Sequence, residues 1–461
     1  MPDSDDALLI RLDREARTPL AVQLADALRA AAAAGQLRAG DRLPSTRTLA
    51  SHLKVSRTVT SAAYDQLLAE GWIAGKHGSG TYVTTTPPGT SPEPADRARA
   101  AAPEPEVVSL ELGRPWVGGL DRAAWRRAWR SAADADPLVS HYPPGLPEYR
   151  EAVAEHLLRH RGLTIRGGLA TEAVLATSGT SAAVAEVAVS VFRPGDTVAV
   201  EEPGYLRAVE AFKAGGINVL PAALDRDGII VEQIPAGIKA VYCSPAHQYP
   251  LGSRLPAARR VALVERARRE GWLIIEDDYD GELRYDVAPL PLLAALAPDV
   301  VVHLGTTSKI LTPTLGAGWL VAPPKVASAV LAYRELTGIG PAPAGQRVLV
   351  ELARNGDLGR HLRRLRRELS ERRVLVVENL RAAGIPILGD DAGSHVVVLL
   401  PSVEREREVV RRAARLGVRL DGLERRHAGP PRWHGVAIGY TACSRDQLIS
   451  VLPPLIDLLA T

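Results

Sequence analysis

Residues Gly305–Pro313 read Gly-Thr-Thr-Ser-Lys-Ile-Leu-Thr-Pro, and they directly follow the apolar run Val300–Leu304. That run predicts a buried strand, so Lys309 lies just past the carboxyl end of a strand. The chain has six lysines against fifty arginines. Arginine keeps its proton in proteins, whereas lysine can become a neutral nucleophile. Lys309 is therefore either an exposed lysine at a strand end, as most lysines are, or an amine nucleophile that reacts with an aldehyde.

Apolar strand candidates alternate with helical stretches over residues 108–340. The strand candidates are Ala173–Ala176, Thr197–Val200, Ala240–Cys243, Leu273–Glu276, Val300–Leu304 and Trp319–Val321. The helix candidates are Leu146–Arg161, Ser181–Phe192, Leu206–Lys213, Ala257–Glu270 and Ala327–Leu336. This alternation predicts an α/β domain with a mostly parallel sheet. Such sheets bind ligands beyond the carboxyl ends of their strands.

The tail, residues 341–461, predicts a smaller α+β lobe. It contains a long helix at Asp357–Leu380 and strands at Val396–Leu400 and Gly435–Ile438. The run Arg360–Arg373 is rich in arginine, and leucines recur in it at helical spacing. We interpret these arginines as a solvated helix face, with a second nucleic-acid surface as the alternative.

Polar residues follow several of the predicted strands. Ser178, Gly179 and Thr180 join a strand to a helix, where they either hold a phosphate at the positive helix end or form a plain turn. The carboxylates of residues 276–280 need a cation if they are buried: a metal ion, a protonated pyridine nitrogen or one of the many arginines. His247 follows a third strand and either stacks on a ring or hydrogen-bonds within its loop.

The N-terminal residues predict a different unit. A helix at Pro19–Ala34 precedes a short helix at Thr46–Leu53, and a third helix runs from Ser56 to about Glu70. Two short strand candidates then flank a glycine-rich tip at residues 75–80. This order is that of a winged helix-turn-helix, in which the second helix of the pair enters the major groove of DNA.

Several residues of this unit can contact phosphates or base edges. They are Ser56, Arg57, Thr58 and Thr60 in the first turn of the third helix, and Lys76 and His77 at the hairpin tip. Residues 38–80 hold six Lys and Arg against three Asp and Glu, which gives a modest positive footprint. The alternative is a small helical interaction module with a solvated basic face.

Residues 8–84 closely resemble the DNA-binding domain of GntR-type regulators. The matching motifs are Gly40–Ala50 (Gly-Asp-Arg-Leu-Pro-Ser-Thr-Arg-Thr-Leu-Ala), Val55–Thr58, Ala63–Leu67, Glu70–Ile73 and Gly78–Val83. The resemblance implies that Arg47, Arg57 and Thr58 contact DNA, and that His77 and Gly78 lie in the minor groove.

Residues 85–107 are rich in Thr, Pro, Ala and Glu and lack a periodic apolar pattern, which predicts a flexible linker. In an extended Pro-rich state it spans up to ~70 Å, at about 3.1 Å per residue. That length is enough for the DNA-binding domain to cross onto a partner subunit.

Residues 108–461 resemble fold-type I aminotransferases, and the whole chain resembles the MocR subfamily of GntR-type regulators. The matching motifs are Glu201–Tyr205, Ser244–Gly252, Ile275–Tyr285 and Thr307–Lys309. The resemblance implies that Lys309 forms the internal aldimine with pyridoxal 5′-phosphate and that Asp277 pairs with the pyridinium nitrogen. It further implies that Tyr279 bonds the ring hydroxyl and that Tyr205 stacks on the ring. The residues that it implies for the phosphate are Ser178, Gly179, Thr180, Thr306 and Ser308.

The sequence departs from the family pattern at three places. Family members usually carry an arginine for the phosphate seven residues after the lysine, and Gly316 stands there. Without an arginine at position 316, we expect the phosphate to be bound less tightly, or to be bound by another arginine of the chain. Tyr249 stands where active aminotransferases have Asn, as is usual in the regulators. For the arginine that clamps a carboxylate we choose Arg425, with Arg426 and Arg432 as alternatives.

Composition restricts the remaining possibilities. The 461-residue chain has a net charge of only +3, so any nucleic-acid surface is local. Its two cysteines, Cys243 and Cys443, argue against a disulfide framework or a Cys-rich metal site, and we predict no metal. The acidic N-terminus lacks an apolar signal core, and no stretch approaches the ~18 apolar residues of a membrane span. We therefore expect a cytoplasmic protein that makes no contact with membranes.

These inferences predict a transcriptional regulator that binds an operator in double-stranded DNA. Its aminotransferase-like domain senses pyridoxal phosphate, an amine or an amino acid through Lys309. The resemblance also implies a head-to-tail homodimer. The first alternative is an active aminotransferase with an appended DNA-binding domain. The second is a regulator whose effector domain no longer holds the cofactor. We expect little or no turnover, with residual transaminase chemistry at most.

Overall fold

The computed structural model describes residues 10–76, 80–84, 107–140, 142–163 and 173–460. They form two compact units, one within Met1–Pro103 and the other within Glu104–Thr461. The predicted linker, apart from its last residue, lies outside the described residues. Its flexibility and the proposed domain bounds remain predictions.

The N-terminal unit has the predicted winged helix-turn-helix order. Its helices are α1 (Leu20–Ala33), α2 (Thr46–Leu53) and α3 (Arg57–Ala69), and its strands are β1 (Arg42–Leu43), β2 (Ile73–Lys76) and β3 (Gly80–Val83). The hydroxyls of Ser45 and Ser56 accept hydrogen bonds from the amides of Thr48 and Val59 at 3.1 and 3.4 Å. Both serines therefore cap helices, which confirms the predicted starts of α2 and α3. Strand β3 lies between β1 and β2 in an antiparallel sheet.

The C-terminal unit contains the remaining elements. Its strands are β4 (Val108–Ser109), β5 (Val174–Thr177), β6 (Thr197–Glu202), β7 (Asn218–Asp225), β8 (Gly228–Ile229), β9 (Ala240–Cys243), β10 (Leu273–Asp278), β11 (Val301–Thr306), β12 (Gly318–Val321), β13 (His395–Leu399), β14 (Val418–Arg419), β15 (Asp421–Gly422) and β16 (Gly435–Gly439). Its helices are α4 (Arg122–Asp134), α5 (Pro147–Arg161), α6 (Thr180–Val191), α7 (Leu206–Ala214), α8 (Ala257–Glu270), α9 (Leu293–Leu296), α10 (Pro324–Thr337), α11 (Pro343–Arg354), α12 (Asp357–Ala382), α13 (Val403–Arg415) and α14 (Arg445–Ala460).

A sheet of order β5-β12-β11-β10-β9-β6-β7-β8 forms the centre of this unit. The neighbours β11–β10, β10–β9, β9–β6 and β6–β7 are parallel, which confirms the mostly parallel α/β sheet. Strands β10 and β11 run side by side with Asp278 opposite Gly305. Apart from the half-buried Leu273, their apolar residues are buried, as strands covered on both faces require. The polar residues that end these two strands consequently meet at one edge of the sheet.

The C-terminal residues add a smaller antiparallel sheet, β13-β16-β15, and the long helix α12. The solvated arginine face predicted for α12 is wrong at two positions. Arg372 and Arg373 are buried, with exposed fractions of 3% and 7%. Arg372 donates to the carbonyl oxygen of Cys443 at 2.5 Å and pairs with Glu368 at 2.8 Å. These two arginines therefore join α12 to the lobe, while Arg363 and Arg367 are exposed.

Among the described helices, none combines the length and the apolar character needed to cross a membrane.

Candidate functional site

A cavity of about 510 Å³ opens where the carboxyl ends of β10 and β11 meet the start of α6. Ten of the eleven residues predicted to bind cofactor or substrate line it. These are Ser178, Gly179, Thr180, Tyr205, Asp277, Tyr279, Thr306, Ser308, Lys309 and Arg425. They come from segments that are distant in sequence, and the parallel strands bring them together because polar residues follow several strands at one sheet edge.

Lys309 reaches into this cavity from the turn after β11. Its Nζ donates a hydrogen bond to the carbonyl oxygen of Gly113 at 2.8 Å. Burial lowers the pKa of Lys309, and the charges of Asp280 and Asp277 partly oppose this shift. A lowered pKa increases the neutral fraction of the amine, which is the form that attacks an aldehyde.

Asp277, at the end of β10, has one carboxylate oxygen without a partner. The Tyr242 hydroxyl donates to its Oδ2, whereas Oδ1 is buried and has no hydrogen-bond partner among the described residues. Burial raises the pKa of Asp277 to about 7. An unpaired buried carboxylate oxygen is costly, and a cationic N–H in the cavity would satisfy it. The protonated ring nitrogen of pyridoxal phosphate is such a group.

The loop between β5 and α6 forms a cradle for an anion. Gly179 has φ +124°, a conformation that side chains rarely permit, and leads directly into Thr180 at the start of α6. The free amides and the positive end of a helix favour a phosphate at this point. Hydroxyls face the loop from β11, where Thr306 Oγ1 donates to Ser308 Oγ at 2.9 Å. The cradle thus fits a phosphate with neutral donors.

Three tyrosines form an aromatic wall of the cavity. The ring of Tyr249 stands edge-on to Tyr205 and Tyr279, with centroids 6.0 and 5.7 Å apart. The Tyr205 hydroxyl lies 2.8 Å from Ser181 Oγ. Such a wall suits a flat aromatic ligand.

The structure places His247 behind this wall, outside the cavity lining. Its Nδ1 lies 3.0 Å from the Tyr279 hydroxyl and 3.0 Å from Asp280 Oδ2, and the ring is buried. This position favours a role in orienting Tyr279 over direct stacking on a cofactor. These contacts also differ from the predicted alternative of a hydrogen bond within its own loop, because both partners lie in the segment after β10.

Two neighbouring arginines enter the cavity from the turn at Glu424–Arg426. Arg425 and Arg426 pair with the two carboxylate oxygens of Asp421 at 3.0 and 2.9 Å. The guanidinium of Arg426 also lies over the Tyr249 ring, 5.4 Å from its centroid. Arg432, the third candidate for the carboxylate, does not line this cavity. Arg426 is therefore as well placed as Arg425 to meet an anionic ligand.

Four of the predicted DNA contacts of the N-terminal unit are exposed. Arg47 lies on α2, and Ser56, Arg57 and Thr58 lie at the start of α3. The prediction that Thr60 can contact DNA is wrong, because Thr60 is buried and its hydroxyl donates to the carbonyl oxygen of Thr46 at 2.8 Å. Lys76 ends β2. His77 and Gly78 lie outside the described residues.

Two family models match the chain. Residues 20–83 match bacterial regulatory proteins of the gntR family, and residues 117–418 match aminotransferase class I and II. The HTH-type pyridoxine biosynthesis transcriptional regulator PdxR of Corynebacterium glutamicum is 33% identical over 98% of both chains. The probable rhizopine catabolism regulatory protein MocR of Rhizobium meliloti is 32% identical over 94% of this chain and 92% of that protein.

A solved structure resembles the C-terminal unit. The kynurenine aminotransferase of Pyrococcus horikoshii, in complex with PMP, matches with a TM-score of 0.70 and 25% identity. The match covers 77% of this chain and 91% of that one. The fold-type I aminotransferase architecture predicted from the sequence is therefore confirmed. The chain belongs to the MocR subfamily of GntR-type transcriptional regulators, in which a winged helix-turn-helix domain precedes an aminotransferase-like domain.

Proposed function

We propose that the aminotransferase-like domain binds pyridoxal 5′-phosphate at Lys309, and that occupancy of this site controls how a homodimer engages its DNA operator. The observation that carries the proposal is the buried Oδ1 of Asp277, a residue that lines the same cavity as the Lys309 amine; within the described part of the chain this oxygen has no hydrogen-bond partner. A buried carboxylate and an amine of lowered pKa are the two groups that this cofactor requires.

Each part of the ligand has a matching group in the cavity. The Asp277 carboxylate would meet the ring nitrogen, and the Tyr279 hydroxyl would meet the ring hydroxyl. The Tyr205 ring would cover one face, and the cradle at residues 178–180 would hold the phosphate. When bound, pyridoxal phosphate supplies an aldehyde that reacts with amines. The effector is accordingly the cofactor itself, or an amino compound that displaces the Lys309 amine.

The lining charges favour an anionic ligand. Glu111, Asp277 and Asp421 face Arg114, Arg207, Lys309, Arg425 and Arg426, so cations outnumber carboxylates. Arg425 and Arg426 share the single carboxylate of Asp421, so the three side chains together keep one excess positive charge for the carboxylate of an amino acid. The pathway in the name of the relative PdxR, pyridoxine biosynthesis, supports a form of vitamin B6 as one effector.

An absorption spectrum tests this proposal. Wild-type protein that is incubated with pyridoxal phosphate and then passed through gel filtration should keep the yellow band of lysine-bound cofactor at close to one equivalent per chain. Loss of the band on the column would contradict the proposed function. Repeated conversion of a keto acid at the expense of an amino donor would instead favour the aminotransferase alternative, against which Tyr249 argues.

A homodimer is part of the proposal. Large apolar side chains are exposed at Leu138, Val139, Leu336 and Ile339 of the C-terminal unit, with Val139 exposed at 103%. Exposed large apolar side chains of this kind are typical of surfaces that become buried in a protein interface. Light scattering during size exclusion should give twice the chain mass of 49.2 kDa.

Replacing Arg57 by alanine should weaken DNA binding. Arg57 is exposed in the first turn of α3, and loss of one good arginine contact costs about 1–3 kcal/mol per site. The measurement is fluorescence anisotropy on a duplex that the wild-type protein has selected from a random pool. Arg415→Ala, which removes an exposed arginine at the end of α13, is the matched control and should bind like wild type. If both variants bind the duplex with equal affinity, Arg57 does not contact DNA.

A further inference from the structure

We propose that Arg207 provides the positive charge for the ligand phosphate, in place of the arginine that this chain lacks at position 316. The inference rests on the proposed function, because it assigns a residue to the phosphate of the same ligand. It explains how a chain with Gly316 keeps a phosphate site.

Gly316 leaves the cradle without a cation from its own loop. It ends the short turn Pro313–Leu315 with φ +61°, and no atom of the residues that the structure describes lies within 4 Å of the position that its Cβ would occupy. The cradle residues Ser178, Thr180, Thr306 and Ser308 offer hydroxyls and amides, which are neutral. A phosphate dianion in a partly enclosed cavity needs a full positive charge nearby, since the helix end supplies only about half a charge.

Arg207 lines the same cavity as this cradle. It is the second residue of α7, and it is exposed. The hydrogen bond between the Tyr205 hydroxyl and Ser181 Oγ, at 2.8 Å, ties the start of α7 to the first turn of α6. The charge of Arg207 acts to lower the pKa of the Tyr205 hydroxyl and that of the Lys309 amine. Arg207 therefore shares one cavity with the cradle residues and with Lys309.

The other arginines of the cavity are already paired. Arg114 pairs with Glu111 at 3.3 Å, and Arg425 and Arg426 pair with Asp421. In contrast, Arg207 forms no ion pair with any residue that the structure describes. A guanidinium that lines an anion site without a carboxylate partner is free to bind phosphate with two N–H groups.

The test compares pyridoxal phosphate with pyridoxal, which lacks the phosphate. Dissociation constants for both come from titration of the yellow band. Arg207→Gln should weaken pyridoxal phosphate binding about 10- to 100-fold, the range for a charge-assisted hydrogen bond, and change pyridoxal binding by less than about threefold. Lys213→Gln removes a charge from the same helix at a position outside this cavity, and it should leave both constants unchanged.

A rescue variant separates a specific role from general damage. Adding Gly316→Arg to Arg207→Gln should recover part of the lost preference for the phosphorylated ligand, because no described atom lies within 4 Å of the new Cβ, although the side chain meets backbone strain at φ +61°. If the ratio of the two dissociation constants is the same in Arg207→Gln as in wild type, the role of Arg207 is wrong and the proposed function still stands. Equal weakening of both ligands would also overturn the role of Arg207. Failure of wild-type protein to form the band at all would instead overturn the proposed function.

Discussion

Lys309→Ala is expected to abolish the retained yellow band completely. Alanine has no amine, so the variant cannot hold the cofactor covalently, and pyridoxal phosphate should leave on gel filtration. The fold should survive, because the one hydrogen bond of Lys309 Nζ is to the carbonyl oxygen of Gly113, which lines the same cavity and becomes accessible to water. The measurement is the absorption spectrum after the column, together with circular dichroism.

Lys325→Ala is the matched control for this variant. Lys325 is exposed near the start of α10 and does not line the cavity, so its variant should keep the wild-type band. A band of wild-type intensity in Lys309→Ala would show that another amine holds the cofactor, and the assignment of Lys309 would then be wrong.

Arg161→Ala is expected to lower the free energy of unfolding of the C-terminal unit by about 3–5 kcal/mol, the cost of removing one partner from a buried ion pair. The Arg161 side chain ends α5 and is only 1% exposed. Its Nη2 donates to Asp278 Oδ1 at 2.9 Å, and Nη1 also lies 3.5 Å from Glu282 Oε1. Without the guanidinium, two buried carboxylates lose a positive partner. Urea denaturation followed by tryptophan fluorescence measures the change.

Arg268→Ala provides the contrasting case. Arg268 also donates two hydrogen bonds to a single carboxylate, that of Asp299, at 2.6 and 2.8 Å. In contrast to the Arg161 pair, the side chains of Arg268 and Asp299 are 47% and 52% exposed. Exposed pairs contribute about 0–1 kcal/mol, so this variant should unfold close to wild type. Equal losses in the two variants would show that burial does not determine the strength of the Arg161 pair. Because Asp278 follows Asp277, the Arg161 variant should also bind pyridoxal phosphate more weakly.

The central strands could be predicted because they are continuous apolar runs. Strand β9 has the predicted bounds, and β10 and β11 extend two residues beyond theirs, into the polar site residues. Helix α13 was missed because charged residues dominate it and leave a narrow apolar stripe at Val409 and Ala413. Strand β7 contains Pro221 and lies near the sheet edge, where the apolar signal is weak.

The site could be predicted where its residues directly follow strands, as Asp277 and Lys309 do. From the C-terminal lobe it could be predicted only as a choice among Arg425, Arg426 and Arg432, and Arg207 on helix α7 was not predicted. Nothing in the local sequence distinguishes Arg207 or Arg426 from the other arginines of the chain, because their roles depend on which element packs beside the cavity. Thr60 shows the converse, since a polar residue in the first turn of α3 points inward to a backbone carbonyl.

Cofactor occupancy at Lys309 is expected to change DNA binding. A DNase footprint on a duplex that the full-length protein has selected from a random pool tests it most directly, with and without pyridoxal phosphate. In wild-type protein the protected region or the concentration for half protection should change on adding pyridoxal phosphate, and in Lys309→Ala neither should change. Footprints of wild-type protein that are identical with and without pyridoxal phosphate, and also on adding amines, would contradict the account.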